Sequence, residues 1–291
     1  MHNLKDLKQT YRGMVRAARR HPLIAIGGGM VGLLFVLAVL ASVVSPYDPD
    51  RQALTERLLA PGASHWMGTD QFGRDILSRM LHGARVSLSV GLVAVSIYVT
   101  LGVLVGALAG YYGGWVDMVL MRLVDVLLCI PTFFLILMVV AFVGPSLLNI
   151  MVIIGLTAWP DVARLVRGEI LSLKERDFIQ AARVIGLRDG RIITRHLLPN
   201  ALGPVLVVST LGVGSAILVE SGLSFLGLGV QPPSASWGNM LMEGTSHLLD
   251  AWWLVTFPGT AIFLTVLAYN LLGEGLRDLL DPRMTGSGRH G

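Results

Sequence analysis

The sequence predicts an all-α integral membrane protein: six transmembrane helices, with a cytoplasmic helical loop between spans 4 and 5. Three observations predict it. Only 14% of the 291 residues are charged, against about 25% in a soluble domain. Mean hydropathy is +0.66. The basic residues collect at 1–22 and 164–195, and long uncharged runs separate and follow them.

Residues 1–22 carry Lys5, Lys8, Arg12, Arg16, Arg19 and Arg20 against one acid, Asp6. The positive-inside rule places this segment in the cytoplasm. A bilayer core of about 30 Å needs about 20 apolar residues in helix. The run 23–44 meets that length without a charge. It exceeds the apolar core of about 7–15 residues in a secretory signal, so it reads as an uncleaved anchor. Segment 46–84 then falls outside, its arginines 51, 57, 74 and 79 balanced by Asp48, Asp50, Glu56, Asp70 and Asp75. Within it Gly68-Thr69-Asp70 predicts an interfacial helix capped by Thr69 or Asp70.

The second span is predicted at 86–111. Gly102, Gly106 and Gly110 recur in it every fourth residue, a pattern that lets helices approach closely. The packing partner is this chain or a second one. The third span is predicted at 118–143. Arg122 and Asp125 suit an i,i+3 ion pair there, and Pro131 can only kink the helix. Cys129 is the single cysteine, read as a small buried hydrophobe; alone it makes no intrachain disulfide and no thiolate metal site. Gly144-Pro145 ends that span. The fourth follows at 147–166, with Trp159-Pro160 inside it.

The fifth span, 201–223, carries Glu220 near its outer end. An ionisable group at that depth is a functional candidate for lining a translocation path; the other readings are a hydrated place at the interface or a bond to the following loop. The outside segment 224–250 holds only Glu243 and Asp250 as charges. The sixth span, 251–272, returns the C-terminus and the tail 284–291 to the cytoplasm.

Between spans 4 and 5, residues 164–195 carry eight basic and four acidic side chains, again a cytoplasmic signature. Phe178, Ala181, Ala182 and Ile185 recur at helical spacing and leave one apolar stripe. Gly186 stops that helix. A second short helix carries Ile192, Ile193 and Leu197, and Leu198-Pro199 ends it. An amphipathic loop lying on anionic lipid is one reading. A DNA-binding helix-turn-helix is another, opposed by the tethering of both ends to the bilayer. A docking helix with an apolar face and a basic rim is the third.

Gln180-Ala181-Ala182, three residues, Gly186, nine residues, then His196-Leu197-Leu198-Pro199 resembles the EAA signature of binding-protein-dependent ABC importer permeases. Gln180 stands where the family has Glu, and His196 where it has Ile. "MGTDQFGRDILSRMLHGARVSL", "DVLLCIPTFFL" and "SGLSFLGLGVQPPSASWGNML" resemble the dipeptide, oligopeptide and nickel subfamily, over 20–283 in all. The resemblance implies a permease domain at 23–283 that imports dipeptides or short peptides through the cytoplasmic membrane of a bacterium. It implies as partners a second homologous permease subunit, two cytoplasmic ATPase subunits that bind ATP and Mg, and an extracytoplasmic substrate-binding protein. Phe178, Gln180, Ala181, Ala182, Ile185, Gly186, Leu198 and Pro199 would form the coupling site; Glu220 and Asp125 are candidates for the path. No cofactor is expected in this chain, which lacks the G-x-x-x-x-G-K-[ST] phosphate loop. An intramembrane serine protease, suggested by "GLSF", needs a histidine within a span; His82, His196 and His247 fall outside or at boundaries. A passive channel has no use for the docking pair. Nickel or another small solute is the alternative cargo.

Overall fold

A computed structural model describes residues 21–280. Most of the basic segment 1–22 and all of the tail 284–291 lie outside the described residues. Every named element among the described residues is helical. Helix α1, Pro22–Val39, starts on a proline, tolerated there because first-turn N–H groups have no helical partner. It breaks at Leu40 and resumes as α2, Ala41–Val44, where the sequence predicted one span through 44. Arg85 on α3, Ile76–Tyr112, fills the break. Its guanidinium donates to the carbonyls of Ala38 (2.5 Å) and Val39 (2.7 Å) and to Ser42 Oγ (2.8 Å). Those are acceptors that a helix end leaves open.

Helix α3 has 37 residues, a length of about 55 Å at 1.5 Å per residue. It passes both surfaces of a hydrocarbon core of about 30 Å. Its N-cap is Asp75, whose carboxylate accepts from Ser78 N at 2.8 Å. The expected cap at Thr69 or Asp70 is therefore corrected, and no separate helix starts between Gly68 and Asp75. Those side chains fold the loop instead. Thr69 Oγ1 accepts from Leu59 N at 2.8 Å, and Asp70 Oδ1 accepts from Phe72 N at 2.8 Å and Arg74 N at 2.9 Å.

The third span departs most from expectation. It is two helices, α4 (Gly114–Leu128) and α5 (Thr132–Val143), bent by 83°. Pro131 supplies no N–H and its ring clashes with the carbonyl four residues back, so the helix breaks rather than kinks. Cys129 sits at this elbow and is exposed, which corrects its assignment as a buried hydrophobe. Helix α6, Leu147–Lys174, opens on Ser146, whose Oγ accepts from Asn149 N at 3.1 Å. It runs past 166 into the basic region. The short helices α7 (Asp177–Val184) and α8 (Asp189–Ile192) follow, then a π-helical turn, Ile193–Leu197. Helix α9 is Leu198–Phe225, α10 Trp237–Thr245, and α11 Trp253–Leu280. Five of these helices are long and apolar enough to cross a membrane, and the bent pair makes a sixth candidate span.

Glycines set the closest seams. A Cβ on Gly102 would stand 2.5 Å from Val162 Cβ. One on Gly106 would meet Val166 Cβ at 2.8 Å, and one on Gly110 would meet Ile170 Cβ at 2.9 Å. The stripe thus packs α3 against α6, four residues per step on both helices, within this chain. Gly27 of α1 and Gly275 of α11 are pressed equally closely, against Leu272 and Ile24. Helix α9 lies between α3 and α11.

Candidate functional site

Helix α7 stands at the end of the bundle where α3 stops and α6 runs past 166. Ile179 and Ala182 turn inward, buried with Ile170 and Leu173 of α6 and with Ile192 and Leu197. The outward apolar face is Phe178, Ala181, Val184 and Ile185, with Val184 87% and Ile185 74% exposed. The sequence assigned Ala182 to the docking face; at 5% exposure it belongs to the support beneath. Val184 was missed. It lies three residues beyond Ala181, so its place on the outward arc was readable from helical spacing.

The bend is a full Schellman stop. Leu187 N donates to Ala182 O at 3.1 Å and Gly186 N to Arg183 O at 3.0 Å, the 6→1 and 5→2 bonds of that motif. Gly186 has φ +75° and open space around its Cβ position. Gln180 donates Nε2–H to the Lys174 carbonyl at 3.2 Å, joining α7 to the end of α6. A glutamate carboxylate has no proton to offer that carbonyl. Leu198 and Pro199 do not end a helix. Pro199 falls in the first turn of α9, and the chain is helical from Asp189 to Phe225. A π-helical turn, Ile193–Leu197, stands just before α9, and a proline in a first turn gives up an N–H that has no helical partner.

Asp125 pairs chiefly with Arg164 Nη2 at 2.5 Å; the predicted partner Arg122 stands at 4.0 Å. That pair joins α4 to α6. Glu220 is 0% exposed. Its carboxylate accepts from Ser224 Oγ at 2.7 Å, and Ser224 Oγ in turn accepts from Val230 N at 3.1 Å. In this conformation Glu220 is enclosed, and Ser224 links its carboxylate to the loop after α9.

At the other end of α3, a cluster joins the loop before that helix to α10. Arg74 reaches Asp70 Oδ2 at 2.5 Å and Glu243 Oε2 at 2.8 Å, and Arg79 stands 3.7 Å from Glu243 and 3.8 Å from Asp70. His65 Nδ1 lies 2.9 Å from Asp75. Trp237 donates Nε1–H to Met80 O at 3.1 Å. No short-range signal links positions so far apart in the chain.

Residues 102–286 match the model of the binding-protein-dependent transport system inner membrane component. The chain belongs to this family of inner membrane components. Residues 10–61 also match the N-terminal transmembrane domain of oligopeptide transport permease C, a module the sequence reading did not separate. A dipeptide transport system permease protein, DppC, of Alkalihalophilus pseudofirmus is 42% identical over 274 residues, covering 94% of this chain and 90% of that protein. A glutathione transport system permease protein, GsiD, of Pectobacterium atrosepticum is 42% identical over 281 residues, covering 96% and 93%. Among solved structures, a chain of the MetNI methionine ABC transporter aligns with a TM-score of 0.58 and 18% identity, over 71% of this chain and 98% of that one. That likeness concerns the fold. As an inner membrane component, the chain is an integral membrane transport subunit, and the insert on α7 and α8 lies inside the matched region.

Proposed function

We propose that the chain is the permease subunit of an ATP-driven importer of dipeptides and other short peptides. Two ATPase subunits, a second similar permease and an extracytoplasmic binding protein complete it, with both termini in the cytoplasm. The observation that carries the proposal is the build of α7. An exposed apolar face of Phe178, Ala181, Val184 and Ile185 is held from below by buried Ile179 and Ala182 and stopped by Gly186. Such a face, rimmed with arginine and outside lipid, suits insertion into a partner's groove. Closure of the ATPases on ATP would carry it and rock the bundle between inward- and outward-open states. The dipeptide and glutathione permease relatives support a short-peptide cargo.

The test is uptake of labelled dialanine by proteoliposomes holding the complete transporter, with ATP on the ATPase side. Uptake should need ATP and the binding protein, and Ala181→Glu should abolish it by blocking the docking face. ATP-independent uptake by the lone chain would indicate a channel instead.

A further inference from the structure

Tyr111 stands in the last full turn of α3, at the cytoplasmic end, yet is only 7% exposed. Its hydroxyl donates to Asp189 Oδ1 at 2.6 Å. The Arg183 guanidinium lies 5.5 Å from its ring centroid, within range of a cation–π attraction. Arg183 belongs to the last turn of α7 and Asp189 opens α8. One side chain of α3 therefore grips both short helices across the bend at Gly186.

A second tie runs beside it. Lys174 Nζ donates to Gly110 O at 3.3 Å, and the Lys174 carbonyl accepts from Gln180 at 3.2 Å. Covalently, the insert hangs from α6 and α9. Through Tyr111 and Lys174 it is also fastened to α3, the longest helix.

The far end of α3 is fastened too. Asp75 caps it, and Arg79 in its first turn stands 3.7 Å from Glu243 on α10. A continuous helix fixed at both ends moves as one body. Tyr111 is suited to the inner fixture, because a phenol ring has few rotamers and its bond to a carboxylate is charge-assisted.

We propose that Tyr111 is a positioning residue that transmits displacement of the α7–α8 insert to α3, and so to the extracytoplasmic cluster around Glu243. This rests on the permease function proposed above. It predicts a defect in coupling rather than in docking. The docking face of α7 points away from Tyr111, so a variant there leaves the ATPase contact whole.

The experiment uses the complete transporter in proteoliposomes and measures labelled dialanine moved per ATP hydrolysed. Tyr111→Phe keeps the ring under Arg183 and removes only the hydroxyl. Asp189→Ala removes the acceptor from the exposed side, where folding is not at stake. Each should lower the yield per ATP about tenfold, the scale of one lost hydrogen bond to a charged group. ATP hydrolysis and ATPase co-purification should stay at wild-type level. Asp189→Asn keeps an acceptor oxygen and should restore the yield, and the double variant Tyr111→Phe/Asp189→Ala should be no worse than either single. Wild-type yield in both singles overturns the proposal. So does loss of membrane abundance or of the ATPases in both, which makes the contact merely structural. If wild type itself shows no ATP-driven uptake, the permease function fails instead.

Discussion

Ala181 and Ala182 are neighbours with opposite fates. Ala181 faces out of α7 and Ala182 into the core, 5% exposed beside Ile179. Glutamate at each should separate docking from folding. Ala182→Glu buries an unpaired charge at a cost of several kcal/mol, so the chain should accumulate poorly. Ala181→Glu should reach the membrane at wild-type abundance and lose ATPase co-purification. Membrane immunoblots and pull-downs of both variants check this; equal abundance would mean that Ala182 is not packed as described. Gly186 is set by backbone rather than space. Its φ of +75° is a conformation that L side chains resist, while a Cβ there meets nothing. Gly186→Val should cost about 1–2 kcal/mol, loosening the bend without a clash. Glu220 offers a third residue-scale test. Glu220→Gln keeps an oxygen for the Ser224 hydroxyl, now 2.7 Å from the carboxylate. Expression and dipeptide uptake should stay near wild type. A collapse of uptake at normal abundance would make the carboxylate part of the path.

Among the elements, the α3–α6 seam is the firmest sequence-level success. A four-residue glycine repeat predicted close approach, and each step meets a successive turn of α6. Gly106→Ile forces a branched side chain into Val166 and the backbone near Ala163. Overpacking of this kind costs about 1–3 kcal/mol or more, and here it should also part the helices, lowering the melting temperature of the purified protein. The third span shows the opposite case. The sequence predicted a kink at Pro131, and the span is instead two helices bent by 83°. Pro199 carries the same lesson: expected to end a helix, it falls in the first turn of α9. Span count, by contrast, follows from apolar length alone.

At the scale of the whole molecule, orientation has a direct test. In a Cys129→Ser background, needed because the native thiol is exposed, Gly190→Cys should label only from the cytoplasmic side and Ser234→Cys only from outside. Both positions are exposed. Labelling of Gly190→Cys from outside would invert the topology and remove α7 from any ATPase. The cluster around Glu243 matters at this scale as well, since Arg74 pairs there with a residue 169 positions away. Without Glu243, the buried Arg74 and Arg79 would have to share Asp70, a loss of up to about 3–5 kcal/mol. Glu243→Leu should therefore destabilise the protein far more than its place in a loop-side helix suggests, and thermal unfolding in detergent would read it.

By itself, the sequence determined whatever depends on counting along the chain. Apolar length set the candidate spans, lysine and arginine marked the basic insert between them, and the Gln180 to Pro199 spacing carried the family resemblance. These are one-dimensional quantities, fixed by helix rise, hydrocarbon thickness and the cost of moving charge across it. Tertiary structure decided that Ala182 of α7 packs into the core, that Glu220 is sealed behind Ser224, that Arg74 and Glu243 meet, and that Tyr111 joins α3 to the insert. Those contacts join positions from different parts of the fold. Their energies come from burial and geometry that no local spacing encodes, so they exist only once the helices have packed.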